Sequence, residues 1–333
     1  MKTYALYLAR RLAQFVLVVF IGINIAYLIT HLTPIDPVEQ AIASATMIGQ
    51  SSPEMVEGLR KTLRELYGLE GSAFEQYVAF WRRLATGDFG PSLSAFPTPV
   101  STLIWQALPW TVGLLVCSIV IAWGVGNFLG GLAGYYRGNL LLKLVGIAAM
   151  SLQPIPYYVV AFILLILFGF VWPILPISGG AEMNIERSGF AFIVSIVKHS
   201  ILPVLSLVLV GMGAWFIGMR SLVSNIVNED YVTYAEFGGV SRRRILFSYV
   251  MRNALSPQVT GLALSLGAIF NGAIITEVVF GYPGLGTLLV RAVNAGDYSL
   301  VLGITSVSIF AVAAAILVID LIYPLLDPRV AQG

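Results

Sequence analysis

The sequence predicts an all-α membrane protein with six transmembrane helices and both termini in the cytoplasm. Apolar residues make up 58% of the 333 residues and charged residues only 11%, whereas soluble domains are about 25% charged. Such a chain cannot cover a soluble globule with charge, so lipid must form part of its surroundings. A bilayer core needs about 20 largely apolar residues per helix. Six stretches meet this requirement, at roughly 12–32, 107–135, 155–172, 200–220, 257–279 and 300–323.

The distribution of Lys and Arg predicts the orientation, because short loops rich in these residues stay on the cytoplasmic side. With the N-terminus inside, eleven Lys and Arg residues flank the inner side, and only Arg187, Lys198 and Arg291 lie in short outer loops. The segment 33–106 holds the other five, but long segments cross the membrane largely regardless of charge. We therefore predict cytoplasmic termini and a periplasmic segment 33–106.

The outer segment is predicted to form a helical cap on the membrane face. In its first helix, Ser51 and Glu54 fit a capping box and Gly68 fits a helix end. A second amphipathic helix ends at Gly87. Its apolar residues share one face: Phe74, Tyr77, Val78, Trp81 and Leu84. Packing on the membrane is the simplest interpretation, and contact with a soluble partner would be an added role of the same surface.

Small residues in the second span predict close helix packing. Gly126, Gly130 and Gly134 recur every four residues, a spacing that lets helix backbones approach each other closely. Their packing partner is either another helix of the same chain or a second subunit. The weaker apolar stretch 140–152, which ends just before Pro154, is predicted to be an interfacial lead-in to the third span.

No enzymatic site is predicted. The chain lacks the G-x-x-x-x-G-K-[ST] loop that cradles nucleotide phosphates, and it has no nucleophile elbow or paired-carboxylate site. His31 and His199 lack Cys or carboxylate residues at metal-ligand spacing, so we predict neither catalytic residues nor a metal site. The single cysteine, Cys117, excludes an intrachain disulfide, and a net charge of +2 gives no indication of nucleic-acid binding.

Two charged residues lie near the ends of predicted spans. Glu277 is close to the outer end of the fifth span, and Asp320 is close to the inner end of the sixth. A secondary carrier or ion pump usually needs ionisable groups near the membrane midplane. We therefore expect these two residues to hold loops or to pair with a neighbour.

The inner loop 221–256 contains a short helix and the densest basic segment of the chain. Asp230 fits an N-cap and Gly239 a helix stop. Between them, beside Glu236, the positions i, i+3, i+4 and i+7 hold Tyr231, Tyr234, Ala235 and Gly238. A helix this short is marginal in water and needs a packing partner. Its aromatic and small face therefore predicts docking of a cytosolic protein.

A second helix is predicted to start at Ser241, and its first turn carries Arg242, Arg243 and Arg244. Cations at a helix N-terminus oppose the helix macrodipole, so the stability of the helix does not explain them. Anionic lipid headgroups or an acidic partner would explain them, and lipid anchoring is the simpler interpretation.

This loop resembles the cytoplasmic loop of the permease subunits of binding-protein-dependent ABC importers, in particular those of the oligopeptide/dipeptide (and nickel) branch. The family pattern E-A-A-x-x-x-G matches at Ala235 and Gly239, whereas Thr233 and Tyr234 replace the Glu and the first Ala. Pro257, at the end of "RNALSP", follows at the spacing of the branch.

Other stretches extend the resemblance along nearly the whole chain. "RRLAQFVLVVF" and "LTPIDP" are similar to the first span of the branch and its exit, with Ile35 where Gly is usual. "GDFGPSLS" (87–94) and "LPWTVGLL" (108–115) resemble its outer segment and second span. "EVVFGYPGLGTLL", "DYSLVLG" and "DLIYPLLDPR" resemble its C-terminal third.

The resemblance implies a permease subunit of an ATP-driven importer in a bacterial cytoplasmic (inner) membrane. It implies three kinds of partner: a second homologous permease that forms a heterodimer with this chain, two ATPase subunits that hold ATP and Mg, and an extracytoplasmic solute-binding protein. The coupling helix, residues 229–239, would transmit closure of the ATPase dimer to the spans. This chain would bind no cofactor itself. Oligopeptides or dipeptides are the expected solutes, and short oligosaccharides are the alternative.

Two other functional classes fit the sequence less well. A self-sufficient channel or secondary carrier needs charges near the midplane and leaves the docking helix unexplained. A membrane anchor for a signalling complex would use the docking helix but would move no solute.

The outer loop "GYPGLG" (281–286) has two interpretations. Its glycines suit a tight turn, and a plain turn is the simpler one. Alternatively Tyr282, Pro283 and Gly284, with Glu277 and Asp297 nearby, form an outer gate that contacts the binding protein.

The solute route itself is predicted from polar residues in the spans. In the fifth span, Asn271 shares a helical face with Ala268, Ile275 and Val278. An Asn in lipid is costly unless it finds partners. It therefore either hydrogen-bonds other helices or lines the pathway, with Gln153 near the inner end.

Overall fold

The computed structural model describes residues 2–32, 38–39, 42, 53–66, 71–182, 188–267 and 274–326. Every regular element in these ranges is a helix, which confirms the all-α class. The α-helices are α1 (Lys2–Leu32), α2 (Pro53–Leu66), α3 (Ala73–Thr86), α4 (Val100–Tyr135), α5 (Leu140–Leu152), α6 (Tyr157–Leu165), α7 (Gly189–Ile226), α8 (Asp230–Phe237), α9 (Arg242–Arg244), α10 (Arg252–Gly267), α11 (Ile274–Val279), α12 (Leu285–Asn294) and α13 (Tyr298–Leu326). Two π-helical segments, π1 (Ile166–Val171) and π2 (Ile245–Met251), continue α6 and join α9 to α10.

Among the described residues, four helices are long and apolar enough to cross a membrane, within Tyr7–Leu32, Val100–Tyr135, Gly189–Ile226 and Tyr298–Leu321. A fifth candidate is the pair of α5 and α6–π1, which is bent by 108°. The bend lies at Pro154 and Pro156, because proline disfavours helical backbone in the residue before it and ends helices. The chain is therefore a multi-pass membrane protein, and the stretch predicted as a lead-in is a separate helix, α5.

Several predicted boundaries differ from the observed helices. The second span, predicted from residue 107, starts at Val100, and the fourth, predicted as 200–220, runs from Gly189 to Ile226. Hydropathy marks only the part of a helix that is apolar throughout, and the backbone continues helical beyond it. The fifth predicted span is described as the end of α10 followed by α11. Residues 268–273, which include Asn271, lie outside the described residues, as do Ser51 and Gly68. The presence of six spans stays a prediction.

The chain divides into two compact units. The first comprises Met1–Thr111 and Pro283–Gly333, and the second comprises Val112–Tyr282. In the first unit α1 packs along α13. A Cβ at Gly22 would lie 3.0 Å from Ile309 Cγ2, and Arg11 Nη1 pairs with Asp320 Oδ2 at 3.2 Å. The expectation that Asp320 pairs with a neighbour is thus confirmed.

The first unit also contains a buried polar clasp that the sequence did not predict. The carboxylate of Asp297 accepts hydrogen bonds from the hydroxyl of Ser92 and from the backbone N–H and hydroxyl of Ser94, the latter two at 3.0 and 2.9 Å. Its other oxygen accepts from the Leu300 N–H at 3.0 Å and caps α13. Ser92 and Asp297 are completely buried. A buried charge is tolerated only with such donors, so this contact fixes the segment before α4 to the start of α13.

In the second unit α7 is the central helix, and α5, α6, π2 and α10 all pack against it. The glycines of α4 face the same helix. A Cβ at Gly126 would lie 2.7 Å from the carbonyl oxygen of Met212, and one at Gly134 would lie 2.8 Å from that of Arg220. The Gly126–Gly134 spacing therefore serves close packing within this chain.

Candidate functional site

The predicted coupling helix is α8, in the second unit, and it begins one residue before the position expected. Glu229 is the N-cap, with the extended φ of −74° and ψ of 145°. Asp230 was expected at that position but is the first helical residue. There its carboxylate lies at the positive end of the helix dipole, where a negative charge is stabilising. The prediction of Asp230 as the N-cap was therefore wrong by one residue.

The end of α8 is the predicted one. Gly239 has a left-handed φ of +71°, a conformation that glycine adopts without steric cost. The N–H of Gly239 donates to the carbonyl of Glu236 at 3.0 Å, and the N–H of Val240 donates to that of Ala235 at 3.1 Å. These two bonds form a Schellman motif, which stops a helix and reverses the chain direction.

One side of α8 is anchored in a hydrophobic cluster. Val232 is 1% exposed and packs among buried residues of α7, π2 and α10: Met219, Val223, Ile245, Leu246, Val250, Met251 and Ala254. Ala235 and Val240 pack against the edge of the cluster. The hydroxyl of Tyr231 accepts a 2.9 Å hydrogen bond from Asn253 Nδ2. Helix α8 is therefore fixed both to α7 and to the consecutive helical segments π2 and α10.

The other side of α8 is open and aromatic. Tyr234 is 74% exposed and Phe237 is 86% exposed. With Asp230 and Thr233, also exposed, they occupy positions i, i+3, i+4 and i+7, and we name these four residues the docking face. The predicted face contained Tyr231, Ala235 and Gly238 instead, one position further along. Of these three residues, Tyr231 and Gly238 are exposed as well, whereas Ala235 is half-buried against the cluster that holds Val232.

Three cations lie next to the docking face. Ser241, where the sequence predicts the start of a second helix, is the N-cap of α9, and Arg242, Arg243 and Arg244 form α9. All three are exposed, and none forms an ion pair with another described residue. They are available to an anionic surface or partner. The segment π2 follows directly after the three arginines, and its residues Ile245 and Leu246 are buried in the cluster that contains Val232. Such π-helical turns are frequent at functional sites.

Glu277 and Tyr282, which the sequence predicts for an outer gate, belong to the second unit and are both buried, at 0% and 3% exposure. The hydroxyl groups of Tyr282 and Ser200 are hydrogen-bonded at 3.0 Å. Burial raises the pKa of the Tyr282 hydroxyl, and the Glu277 carboxylate acts in the same direction, whereas the Ser200 bond opposes it. Gly281, at φ +52°, ends α11. The predicted tight turn is thus present. The hydroxyl of Tyr282 in this turn points inward and is hydrogen-bonded to Ser200.

The remaining residues of the loop belong to the first unit. Pro283 is exposed, and Gly284 is the N-cap of α12. Residues 285 and 286, predicted as part of the turn, already lie in α12. Any contact of this loop with a binding protein would therefore involve Pro283 more directly than the buried Tyr282.

The structure describes one of the two predicted pathway residues. Gln153 is exposed at the end of α5, and Asn271 lies outside the described residues. The structure instead shows buried polar groups that were not singled out from the sequence. Asn127 donates to the Trp123 carbonyl at 2.8 Å, and Trp123 Nε1 donates to the Gln258 carbonyl at 3.0 Å. The sequence feature that could have identified Asn127 is an amide side chain inside an apolar stretch.

The chain is similar to known membrane transport proteins. Residues 126–332 match the family described as "Binding-protein-dependent transport system inner membrane component". The chain is 30% identical to the probable D,D-dipeptide transport system permease protein of Escherichia coli K12, over 93% of this chain and 92% of the relative. It is 29% identical to the oligopeptide transport system permease protein AppB of Bacillus subtilis, over 94% and 95%. It is also 29% identical to the dipeptide transport system permease protein of Escherichia coli K12, over 97% and 98%.

Proposed function

Because the chain belongs to the family of binding-protein-dependent transport system inner membrane components, we propose that it is a permease subunit that imports oligopeptides or dipeptides with energy from ATP hydrolysed on other subunits. The observation that carries this proposal is the docking face of α8. A helix of eight residues presents Tyr234 and Phe237 outward while Val232 anchors it. Aromatic residues such as Tyr and Phe are enriched at protein interfaces.

Peptides are proposed as the solutes because of the relatives. Three relatives of nearly the same length are named for D,D-dipeptide, oligopeptide and dipeptide transport. Oligosaccharides are the alternative from the sequence, and none of these three relatives is named for them. The solute would be delivered by an extracytoplasmic binding protein.

The proposed assembly contains this chain, a second homologous permease, two ATPase subunits and the binding protein. In it the chain has six spans and cytoplasmic termini, so α8 faces the ATPases. The aromatic side chains of the docking face would fill a groove on one ATPase subunit. ATP and Mg would be held by the ATPase subunits, since this sequence lacks a phosphate-binding loop.

The anchoring of α8 supports a mechanical role. A displacement of α8 by the ATPase would act on Val232, and the tightly packed cluster around it would move with it because protein interiors are close-packed. Two helical segments that contribute buried residues to this cluster lead from it toward the membrane: α7, and the uninterrupted helical segment from Arg242 to Gly267. Closure of the ATPases would thus be transmitted to both elements. Arg242, Arg243 and Arg244 would hold this edge of the chain on anionic headgroups.

Substitution of the outermost aromatic residue tests the proposal. Phe237→Ala should lower the amount of ATPase that co-purifies with the chain and reduce peptide-stimulated ATP hydrolysis. Phe190→Ala is the matched control, because Phe190 is equally exposed at 81% but lies at the far end of α7. Equal ATPase recovery from both variants, or peptide transport by this chain alone in liposomes, would contradict the proposal.

A further inference from the structure

Helix α3 lies across the membrane-spanning helix α1 and contacts it through aromatic side chains. Trp81 stacks on Phe20 with ring centroids 5.4 Å apart. Phe80, the residue before it, packs on Tyr27 with centroids 4.8 Å apart. Both helices belong to the first compact unit. The contacts fix the level at which α3 crosses α1.

That level lies within the span rather than beyond it. The hydroxyl of Tyr77 donates a 2.7 Å hydrogen bond to Asn24 Oδ1, and α1 is apolar enough to cross a membrane from Tyr7 to Leu32. At 1.5 Å per residue, Asn24 lies about 12 Å from the Leu32 end of the helix. The hydrocarbon core of a bilayer is about 30 Å thick. Helix α3 therefore lies at the depth of one leaflet.

The two contacts also show which side of α3 is deeper. By the same helical rise, Phe20 lies about 18 Å from the Leu32 end of α1, whereas Tyr27 lies only about 8 Å from it. The side of α3 that carries Trp81 thus faces the bilayer centre. The side that carries Phe80 faces the water.

The exposed residues of α3 follow this division. Next to Trp81 lies an apolar strip of Phe74, Val78 and Ala85, of which Phe74 is 73% exposed and Val78 41% exposed. At 100° per residue, polar side chains occupy most of the arc away from α1. They are Glu75, Gln76, Arg82, Arg83 and Thr86. The helix is amphipathic, and its exposed apolar strip lies on the deeper side.

We propose that α3 is an interfacial helix whose strip of Phe74, Val78 and Ala85 inserts among the lipid acyl chains. Helices of this kind bury their apolar face about 5–10 Å below the boundary between headgroups and acyl chains, which agrees with the level of Asn24. Helix α1 also exposes apolar side chains along the span, and Ile25 is one of them. The proposal requires that α1 spans the membrane, and the choice of the outer leaflet rests on the proposed orientation.

Two neighbouring positions test this insertion. Ala85 and Thr86 are both small and exposed, but they point 100° apart, toward the strip and toward the polar arc. The background is Cys117→Ser, since Cys117 is the only cysteine. The variants Ala85→Cys and Thr86→Cys are each labelled with a nitroxide at the new cysteine. The complex that contains the labelled chain is then reconstituted into phosphatidylethanolamine–phosphatidylglycerol vesicles. Collision rates are measured with oxygen, which concentrates in lipid, and with a water-soluble nickel chelate.

The oxygen-to-chelate ratio should be several-fold higher at position 85 than at position 86. Val78→Cys and Ala79→Cys repeat the comparison two turns earlier, because these two neighbours also point 100° apart. Nickel access at position 85 equal to that at position 86 would place the strip in a water-filled cavity and overturn the proposal. Protection of position 85 from both reagents would place it under another subunit, with the same consequence. Ile25→Cys on α1 is the control, because a lipid-exposed signal there shows that the span itself is correctly assigned.

Discussion

The carboxylate of Asp297 accepts a hydrogen bond from the hydroxyl of Ser92, a residue 205 positions earlier in the chain. Both residues are completely buried. Hydrogen bonds to charged groups contribute about 1.5–3 kcal/mol each, and a buried group left without a partner carries the full cost of its desolvation. This clasp therefore joins the segment before α4 to the start of α13 with more energy than a surface contact would provide.

Asp297→Asn should destabilise the first unit by about 2 kcal/mol, because the amide keeps the shape of the carboxylate but presents N–H groups to donors that need an acceptor. The measurement is thermal unfolding in detergent. Asp88→Asn is the control, since Asp88 is exposed and its ion pair with Arg83 is of the kind that contributes about 0–1 kcal/mol. Equal effects of the two substitutions would show that the clasp is not stabilising.

Close packing of α4 on α7 leads to a second prediction. Gly126→Ala should destabilise the chain by about 1–3 kcal/mol, the usual cost of overpacking, because its Cβ would lie 2.7 Å from the Met212 carbonyl oxygen. Gly124 lies two residues away in the same helix and has no atom within 4 Å of a built Cβ. Gly124→Ala should be neutral or slightly stabilising, because Ala favours helices over Gly by about 1 kcal/mol. A larger effect at Gly124 than at Gly126 would contradict the assigned packing.

Local signals predicted much of the fold. Gly87 and Gly239 end α3 and α8 as expected, with φ values of 70° and 71°, because a left-handed residue that stops a helix is recognisable from one position. Apolar length also predicted the four long membrane helices. In these cases the physical cause lies within a few residues of its effect, so the sequence alone carries it.

Features that depend on distant residues could not be predicted in this way. The burial of Val232 and the half-burial of Ala235 depend on a cluster built from α7, π2 and α10, so a helical pattern within α8 does not indicate them. The partnership of Ser92 with Asp297 is a contact between segments that no short motif connects. Likewise, the depth of α3 follows from the stacking of Trp81 on Phe20, and amphipathicity alone fits a surface cap equally well.

The burial of Tyr282 predicts that the free energy of unfolding decreases at alkaline pH. Burial raises the pKa of its hydroxyl above the ordinary value of 10.0. The folded state therefore holds this proton more tightly than the unfolded state. The stabilisation is complete below pH about 10 and is lost as the pH rises through the folded-state pKa.

Unfolding midpoints measured from neutral to strongly alkaline pH test this statement. The midpoint of the unsubstituted chain should fall more steeply above pH about 10 than that of Tyr282→Phe, which has no hydroxyl to ionise. Tyr234→Phe removes an exposed tyrosine and serves as the control. A Tyr282→Phe curve parallel to that of the unsubstituted chain would show that the hydroxyl is not buried in the folded protein.

The left-handed turn at the end of α8 leads to the last prediction. It tests whether the backbone conformation at Gly239 positions the docking face, without changing any side chain of that face. Gly239 has φ +71°, and an L-residue with a Cβ is disfavoured there by about 1–2 kcal/mol. Gly239→Ala should therefore disrupt the last turn, displace Phe237 and lower both ATPase recovery and peptide-stimulated ATP hydrolysis several-fold. Gly238→Ala should leave both unchanged, because Gly238 has an ordinary φ of −75°. Gly239→Asn should restore most of the coupling, since Asn tolerates the left-handed conformation better than Ala. If Ala and Asn at position 239 impair coupling equally, the backbone conformation at this turn does not position the docking face.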